Sequence, residues 1–151
     1  MYKVLIADKL SKQAETIFNE NGISVKTKIG LNESELINEL TDCDALIVRS
    51  ATKATKKVIE NSKKLKVIGR AGIGVDNIDL QSATNNGKVV MNTPFGNSIT
   101  TAEHAITLIL STARQIPYAN ETTHKGKWEK SSIKGTEVTG KYLGIIGCGN
   151  I

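Results

Sequence analysis

Aromatic side chains are scarce in this 151-residue sequence, at 4% of the total. That leaves no stacking platform for a single-stranded nucleic acid, so the net charge of +5 is not read as a nucleic-acid footprint. The lysines are scattered, and the two groups Lys53, Lys56, Lys57 and Lys63, Lys64, Lys66 read as solvated helix faces. Cysteine is nearly absent. Cys43 and Cys148 stand far apart with no metal-ligand or redox spacing, so the expectation is two reduced thiols and no metal. Long hydrophobic runs are missing too: the stretch 105–110 is too short and its surroundings too polar for a membrane span. The opening Met1-Tyr2-Lys3-Val4-Leu5-Ile6 lacks the cationic segment, apolar core and small-residue site of a secretory leader. Together these absences predict a soluble, cytoplasmic protein without nucleic-acid or membrane partners. Proline occurs twice, and both Pro94 and Pro117 fall at breaks in the pattern described next.

What is present is a rhythm. Residues 3–7, 23–27, 45–48, 66–69 and 88–91 read as short strands, several of them almost wholly apolar. Helical segments alternate with them. Residues 11–21 place Ala14, Ile17 and Phe18 on one face and close on Gly22. Asn32 or Ser34 can cap a helix carrying Leu36, Ile37 and Leu40. Residues 55–61 form a short helix, and Asp79 caps 80–86, which Gly87 ends. Apolar strands alternating with helices imply a parallel sheet covered on both faces. The expected fold class is α/β, a flavodoxin-like, doubly wound parallel sheet.

The segment Asn92-Thr93-Pro94-Phe95-Gly96-Asn97-Ser98 interrupts the rhythm, as proline, glycine and asparagine do at turns and linkers. The expected domains are therefore 1–97 and 98–151. A long helix over 98–114 follows. Thr100 and Glu103 have capping-box spacing, and Ala102, Ala105, Ile106, Ile109, Leu110 and Ala113 share an apolar face that Leu108 widens. Ile116-Pro117 opens a second helix ending near Gly126. Residues 142–146 read as a strand running into Gly147-Cys148-Gly149-Asn150-Ile151. A strand followed by two glycines at this spacing is the beginning of a dinucleotide fingerprint, whose glycines allow a tight turn and close approach of a pyrophosphate. Its third glycine would fall at 152, so the expectation is the truncated start of a Rossmann NAD-binding domain. By itself this run is equally an ordinary glycine-rich turn.

Two further segments carry candidate chemistry. In the run 67–79, Gly69, Gly72 and Gly74 surround Arg70. Glycines let backbone N–H groups face an anion, and Arg70 is either an anion ligand or a structural ion-pair partner. Arg49-Ser50 follows the apolar strand 45–48, at the strand end where open parallel sheets bind ligands. The planar fork of Arg49 suits a carboxylate or phosphate, unless it is a surface arginine on a loop.

Val48-Arg49-Ser50-Ala51-Thr52-Lys53, the run 69–79, and Met91-Asn92-Thr93-Pro94-Phe95-Gly96-Asn97-Ser98 stand in an order and spacing that resemble the D-2-hydroxyacid dehydrogenase family, most closely its members acting on 3-phosphoglycerate. Ala113-Arg114-Gln115-Ile116-Pro117, Gly126-Lys127-Trp128-Glu129 and Gly135-Thr136-Glu137 extend the resemblance over essentially the whole chain. It implies that the whole protein oxidises 3-phospho-D-glycerate to 3-phosphohydroxypyruvate with NAD, the first step of L-serine biosynthesis. Carried over residue by residue, Arg49, Ser50, Arg70, Ala71, Gly72, Ile73 and Asn97 would bind substrate. Ile73, Asn97, Ser98, Gly147, Gly149, Asn150 and Ile151 would meet the cofactor. The helix from Ser98 and the arm through Trp128 and Lys130 would form the interface of a homo-oligomer. Ile73 stands where some members have threonine, so a hydroxyl contact is lost while backbone contacts survive. Lys130 stands where some have an arginine reaching a neighbouring subunit's substrate, and lysine lacks the fork.

The resemblance places the catalytic arginine, glutamate and histidine after residue 151, so no catalytic residue is assigned within 1–151 and the fragment is expected to be inactive. His104 is read as a residue of the interface helix, His124 as a surface residue, and Cys148 as a variable position of the fingerprint. Other readings stay open: a relative acting on glyoxylate or hydroxypyruvate, or a non-catalytic NAD-sensing regulatory homologue. A phosphoacceptor signalling domain fits less well. Asp8 follows the first strand, but the third strand runs into Arg49-Ser50 rather than an aspartate.

Overall fold

The structure, a computed structural model, describes residues 1–149 and 151. It divides into two compact units, Met1–Gly96 and Asn97–Ile151. The first unit alternates strand and helix throughout: β1 (Lys3–Ile6), α1 (Lys12–Glu20), β2 (Ser24–Thr27), α2 (Glu33–Leu40), β3 (Ala45–Val48), α3 (Lys56–Asn61), β4 (Val67–Arg70), α4 (Leu80–Asn85) and β5 (Val89–Asn92). All pairings are parallel, and the strand order is β2-β1-β3-β4-β5. This is the flavodoxin-like order expected from the sequence. The winding reverses between β1 and β3, so the C-terminal ends of those strands flank a topological switch point.

Local chemistry sets the helix starts. Ser11, Asn32, Thr55 and Asp79 each accept a first-turn N–H through the side chain, and Asn32 with Glu35 completes a reciprocal capping box. Gly22 and Gly87 sit at positive φ just beyond α1 and α4, where the chain must turn left-handed to leave a helix.

One face of the sheet is well covered. Leu5, Leu46, Val48 and Ile68 pack against Leu36, Leu40, Val58, Ile59 and Ala83 from α2, α3 and α4. Lys88 is buried with this layer's edge, its ammonium donating to the Ser62 and Leu65 carbonyls at 2.6 and 2.9 Å. Burial lowers its pKa. The opposite face is sparsely covered. Phe18, Ile23, Ala45, Ile47, Val67 and Met91 border an open apolar trough of about 550 Å³. Val89 and Met91 are more than half exposed there, and α1 buries no residue completely. α1 lies on this second face, where Val4 and Ile6 are buried, so helices flank both faces as expected and one face is incompletely covered.

The second unit holds α5 (Ser98–Ala113) and α6 (Ile116–His124). Asn97 is the N-cap of α5 without a side-chain cap bond. Thr100 and Glu103 lie inside the helix, so their spacing does not mark its start. Residues 142–146 form no strand, contrary to the sequence reading. A strand exists through hydrogen bonds to a neighbour, and no other strand is present among the described residues of this unit. Tyr142 and Ile146 are accordingly fully exposed. No helix among the described residues is long and apolar enough to cross a membrane.

Candidate functional site

The candidate site is built at the C-terminal ends of β1, β3 and β4. Ala7 N–H donates to the Ile47 carbonyl at 2.9 Å and Ala71 N–H to the Val48 carbonyl at 2.9 Å. The loops that leave the three strands, carrying Asp8, Arg49-Ser50 and residues 71–74, therefore start side by side.

Arg49 and Ser50 are exposed, yet the main chain beneath them is held from three sides. From β1, the buried Asp8 carboxylate accepts Arg49 N–H at 2.6 Å, Thr52 N–H at 3.2 Å and the Thr52 hydroxyl at 2.7 Å. Burial acts to raise the Asp8 pKa, but the Thr52 hydroxyl and the backbone N–H donors outweigh it and hold the carboxyl below its ordinary value. From β4, Arg70 Nε donates to the Arg49 carbonyl at 3.3 Å. From the following loop, the Asn77 amide donates to the Arg49 carbonyl at 2.7 Å and to the Thr52 carbonyl at 2.6 Å. The Arg49 side chain makes one long contact, at 3.5 Å, to the Lys9 carbonyl. Its guanidinium meets no other acceptor among the described residues.

Arg70 makes contacts within the loops, as the ion-pair alternative expects, and keeps further N–H donors. Its side chain is 11% exposed. The guanidinium donates to the Arg49 and Gly74 carbonyls and lies 3.5 Å from Asp76. Methyl groups added at Gly72 and Gly74 would each stand 3.2 Å from it, so these glycines make room for the guanidinium. In this arrangement Arg70 organises the loop through two hydrogen bonds and an ion pair.

The loop amides are partly spent as well. Ala71 N–H goes to Val48 and Gly72 N–H to the Arg70 carbonyl at 2.9 Å. Of residues 71–73, only the Ile73 N–H meets no acceptor among the described residues. The loop is tied to β5 by Thr93 N–H to the Gly72 carbonyl at 3.0 Å and by the Asn92 amide to the Ile73 carbonyl at 2.7 Å. Asp8, Asn77 and Asn92 therefore hold these loops together, a role the sequence reading did not give them: it weighed Asp8 only as an acid after the first strand and took Asn77 and Asn92 only as parts of longer runs. Part of their signal was available: Asp8 and Asn92 are short polar side chains at or just beyond a strand's C-terminal end, where backbone donors and acceptors need partners, whereas Asn77 stands deep in the loop after β4.

The remaining predicted residues belong to the second unit. Asn97 and Ser98 begin α5, and the enclosed Ser98 hydroxyl oxygen has no hydrogen-bond partner among the described residues. Gly147 has φ +87°, and neither Gly147 nor Gly149 has another group within 4 Å of where a Cβ would lie. A left-handed glycine is what the tight turn of a dinucleotide fingerprint requires. Ile151 is exposed, and Asn150 lies outside the described residues. Trp128 is 82% exposed, Lys130 is exposed, and α5 buries no residue completely. His104 and His124 are exposed, with His124 Nδ1 at 2.9 Å from its own helix's Asn120 carbonyl. Cys43 is buried and its thiol pKa is pushed up to about 11 by desolvation, which makes it unreactive. No cluster of metal-ligating side chains occurs among the described residues.

A doubly wound parallel sheet with an exposed arginine on the loop at its switch point makes this an α/β domain with a candidate anion-binding site. The sequence profile of the D-isomer specific 2-hydroxyacid dehydrogenase catalytic domain matches residues 4–141, and the chain belongs to that family. More particularly, it is 53% identical to a D-3-phosphoglycerate dehydrogenase of Sus scrofa over 99% of this chain and 28% of that protein. It is 47% identical to one of Methanocaldococcus jannaschii over 100% of this chain and 29% of that protein. The chain thus spans under a third of the length of these relatives. Among solved structures, it resembles the NAD+-bound 3-phosphoglycerate dehydrogenase of Entamoeba histolytica, with 30% identity and a TM-score of 0.68, covering 75% of this chain and 39% of that one.

Proposed function

We propose that residues 1–97 form the substrate-binding domain of an NAD-dependent 3-phosphoglycerate dehydrogenase, and that 98–151 begin its NAD-binding domain with a helical interface arm. The whole protein oxidises the C2 hydroxyl of 3-phospho-D-glycerate to the ketone of 3-phosphohydroxypyruvate, the opening step of L-serine biosynthesis, in the cytoplasm. The observation that carries this reading is the Arg49 loop. Its backbone is immobilised while its guanidinium and the Ser50 hydroxyl are left exposed at the switch point. That arrangement suits an anionic group of the substrate, held by two parallel charge-assisted hydrogen bonds. The Ile73 N–H offers a further donor beside it, while Arg70, Ala71 and Gly72 shape the loop.

NAD, when bound, accepts the hydride from C2. Gly147 and Gly149 fit the approach of its pyrophosphate, and Asn97 and Ser98 are assigned to the hinge beside cofactor and substrate. No residue of 1–151 is assigned to proton transfer, so this stretch alone binds without turnover. The exposed apolar residues of α5 and Trp128 are assigned to contact with a second copy.

The test is NADH formation by the whole protein with 3-phosphoglycerate, glycolate and D-glycerate offered in parallel. Preference for 3-phosphoglycerate supports the reading. Because lysine keeps the charge and loses the fork, Arg49→Lys is expected to raise KM for 3-phosphoglycerate about tenfold while kcat changes little. Turnover confined to the non-phosphorylated acids assigns the chain to the glyoxylate and hydroxypyruvate branch. Absence of turnover with all three, NAD still binding, leaves the regulatory reading.

A further inference from the structure

We propose that Asp8 is the positioning residue for the anion-binding loop: it acts on the ligand through Arg49 and touches the ligand nowhere itself. The inference rests on the reading of Arg49 as an anion ligand. A carboxylate beside an anion site is electrostatically unfavourable, and its presence there calls for a compensating role. The geometry supplies one. Both Asp8 oxygens face the loop: Oδ2 accepts the N–H groups of Arg49 and Thr52, and Oδ1 accepts the Thr52 hydroxyl. Asp8 is 4% exposed and Thr52 8% exposed, so this contact is shielded from water, where charge-assisted hydrogen bonds are strongest. Spending the Arg49 N–H on Asp8 also leaves the ligand to be read by the exposed fork rather than by that amide.

The role requires an acceptor of the right shape, and a charge is dispensable. Asparagine can keep Oδ1 on the two amides while its NH2 donates to the Thr52 oxygen. The Thr52 hydroxyl then turns to the Ala7 carbonyl, 3.2 Å away. Alanine supplies no acceptor.

The experiment uses the 151-residue chain with two readouts. Amide hydrogen exchange at Arg49 and Thr52 needs no ligand. Affinity for 3-phosphoglycerate, and for inorganic phosphate as a control, is measured for the wild type, Asp8→Ala, Asp8→Asn, Arg49→Ala and the Arg49→Ala/Asp8→Ala pair. In Asp8→Ala, exchange at Arg49 and Thr52 is expected to accelerate about tenfold or more while Leu46 and Ile68 keep their protection. Affinity should fall about tenfold, Asp8→Asn should restore most of it, and Asp8→Ala should cost nothing further once Arg49 is alanine. Should Asp8→Ala not fold, Thr52→Val removes the hydroxyl donor with little change of shape, and the same non-additivity with Arg49→Ala is expected. Unchanged exchange or affinity in Asp8→Ala, or a loss that simply adds to that of Arg49→Ala, overturns the proposal. If the wild type binds neither anion, the assignment of Arg49 falls and this role with it. The exchange data then still show whether the clamp exists, which separates the two failures.

Discussion

Arg49 and Arg70 carry the same charge at neighbouring strand ends and do different work. Arg70 is packed into the space that Gly72 and Gly74 leave and gives its hydrogen bonds to carbonyls. Arg49 has its backbone held, and among the described residues its guanidinium makes only a long contact to the Lys9 carbonyl. The sequence showed both arginines and both glycines but could not say which guanidinium the glycines accommodate. That depends on side-chain direction after folding. Asp44 gives a residue-scale prediction of another kind. It accepts Lys3 N–H at 3.0 Å and lies 3.3 Å from the Lys64 ammonium, tying the start of β3 to β1. The Lys3 N–H, opposed by desolvation and assisted by Lys64, lowers its pKa below the ordinary 3.8. The native state therefore binds this proton less readily than the unfolded chain, so stability rises with pH across this window. The contribution is complete above about 3.8 and is lost as pH falls through the lowered native value. Urea midpoints measured between roughly pH 2 and 6 should show a shallower acid loss in Asp44→Asn than in the wild type. Parallel curves would deny the residue this role.

At the scale of elements, the five strands and the four helices between them were legible because the signals were local. Strand runs were apolar or, in β2, alternating, caps were Ser, Asn, Thr and Asp, and glycines stood at left-handed exits. The reciprocal cap of α2 matters because this helix delivers Leu36 and Leu40 to the core. Asn32→Ala is expected to destabilise the first unit by about 1 kcal/mol in urea unfolding, with an unchanged slope. A change well below half that value would mean that packing alone sets the helix start. Residues 142–146 mark the limit of local reading. Their apolar pattern fits a strand, yet a strand is completed by partners, and none is present in their unit among the described residues. The site was legible in the same uneven way. Motif spacing singled out the Arg49 and Gly72 loops, which the fold brings to adjacent strand ends. It did not find Asp8, Asn77 and Asn92, whose role comes from three strand ends meeting in space.

At the scale of the molecule, apolar surface left open includes the trough on one sheet face, and α5 with Ile106, Leu108, Ile109 and Leu110 each at least 40% exposed. Surface of this kind drives association. Sedimentation of the 151-residue chain should show mass rising with concentration. Ile106→Asp/Leu110→Asp, two changes one helical turn apart, should lower that mass toward the monomer. Equal association of the variant would move the contact away from α5.

The central claim is that the exposed fork of Arg49 marks the substrate-anion site, and chemical-shift mapping tests it most directly. 3-Phosphoglycerate titrated into the isotope-labelled 151-residue chain is predicted to shift the Arg49 guanidinium, Ser50 and Ile73 resonances, and Arg49→Ala should abolish those shifts. Shifts centred on Ile47, Val67 and Met91 in the sheet-face trough, or shifts that survive Arg49→Ala, would contradict the account.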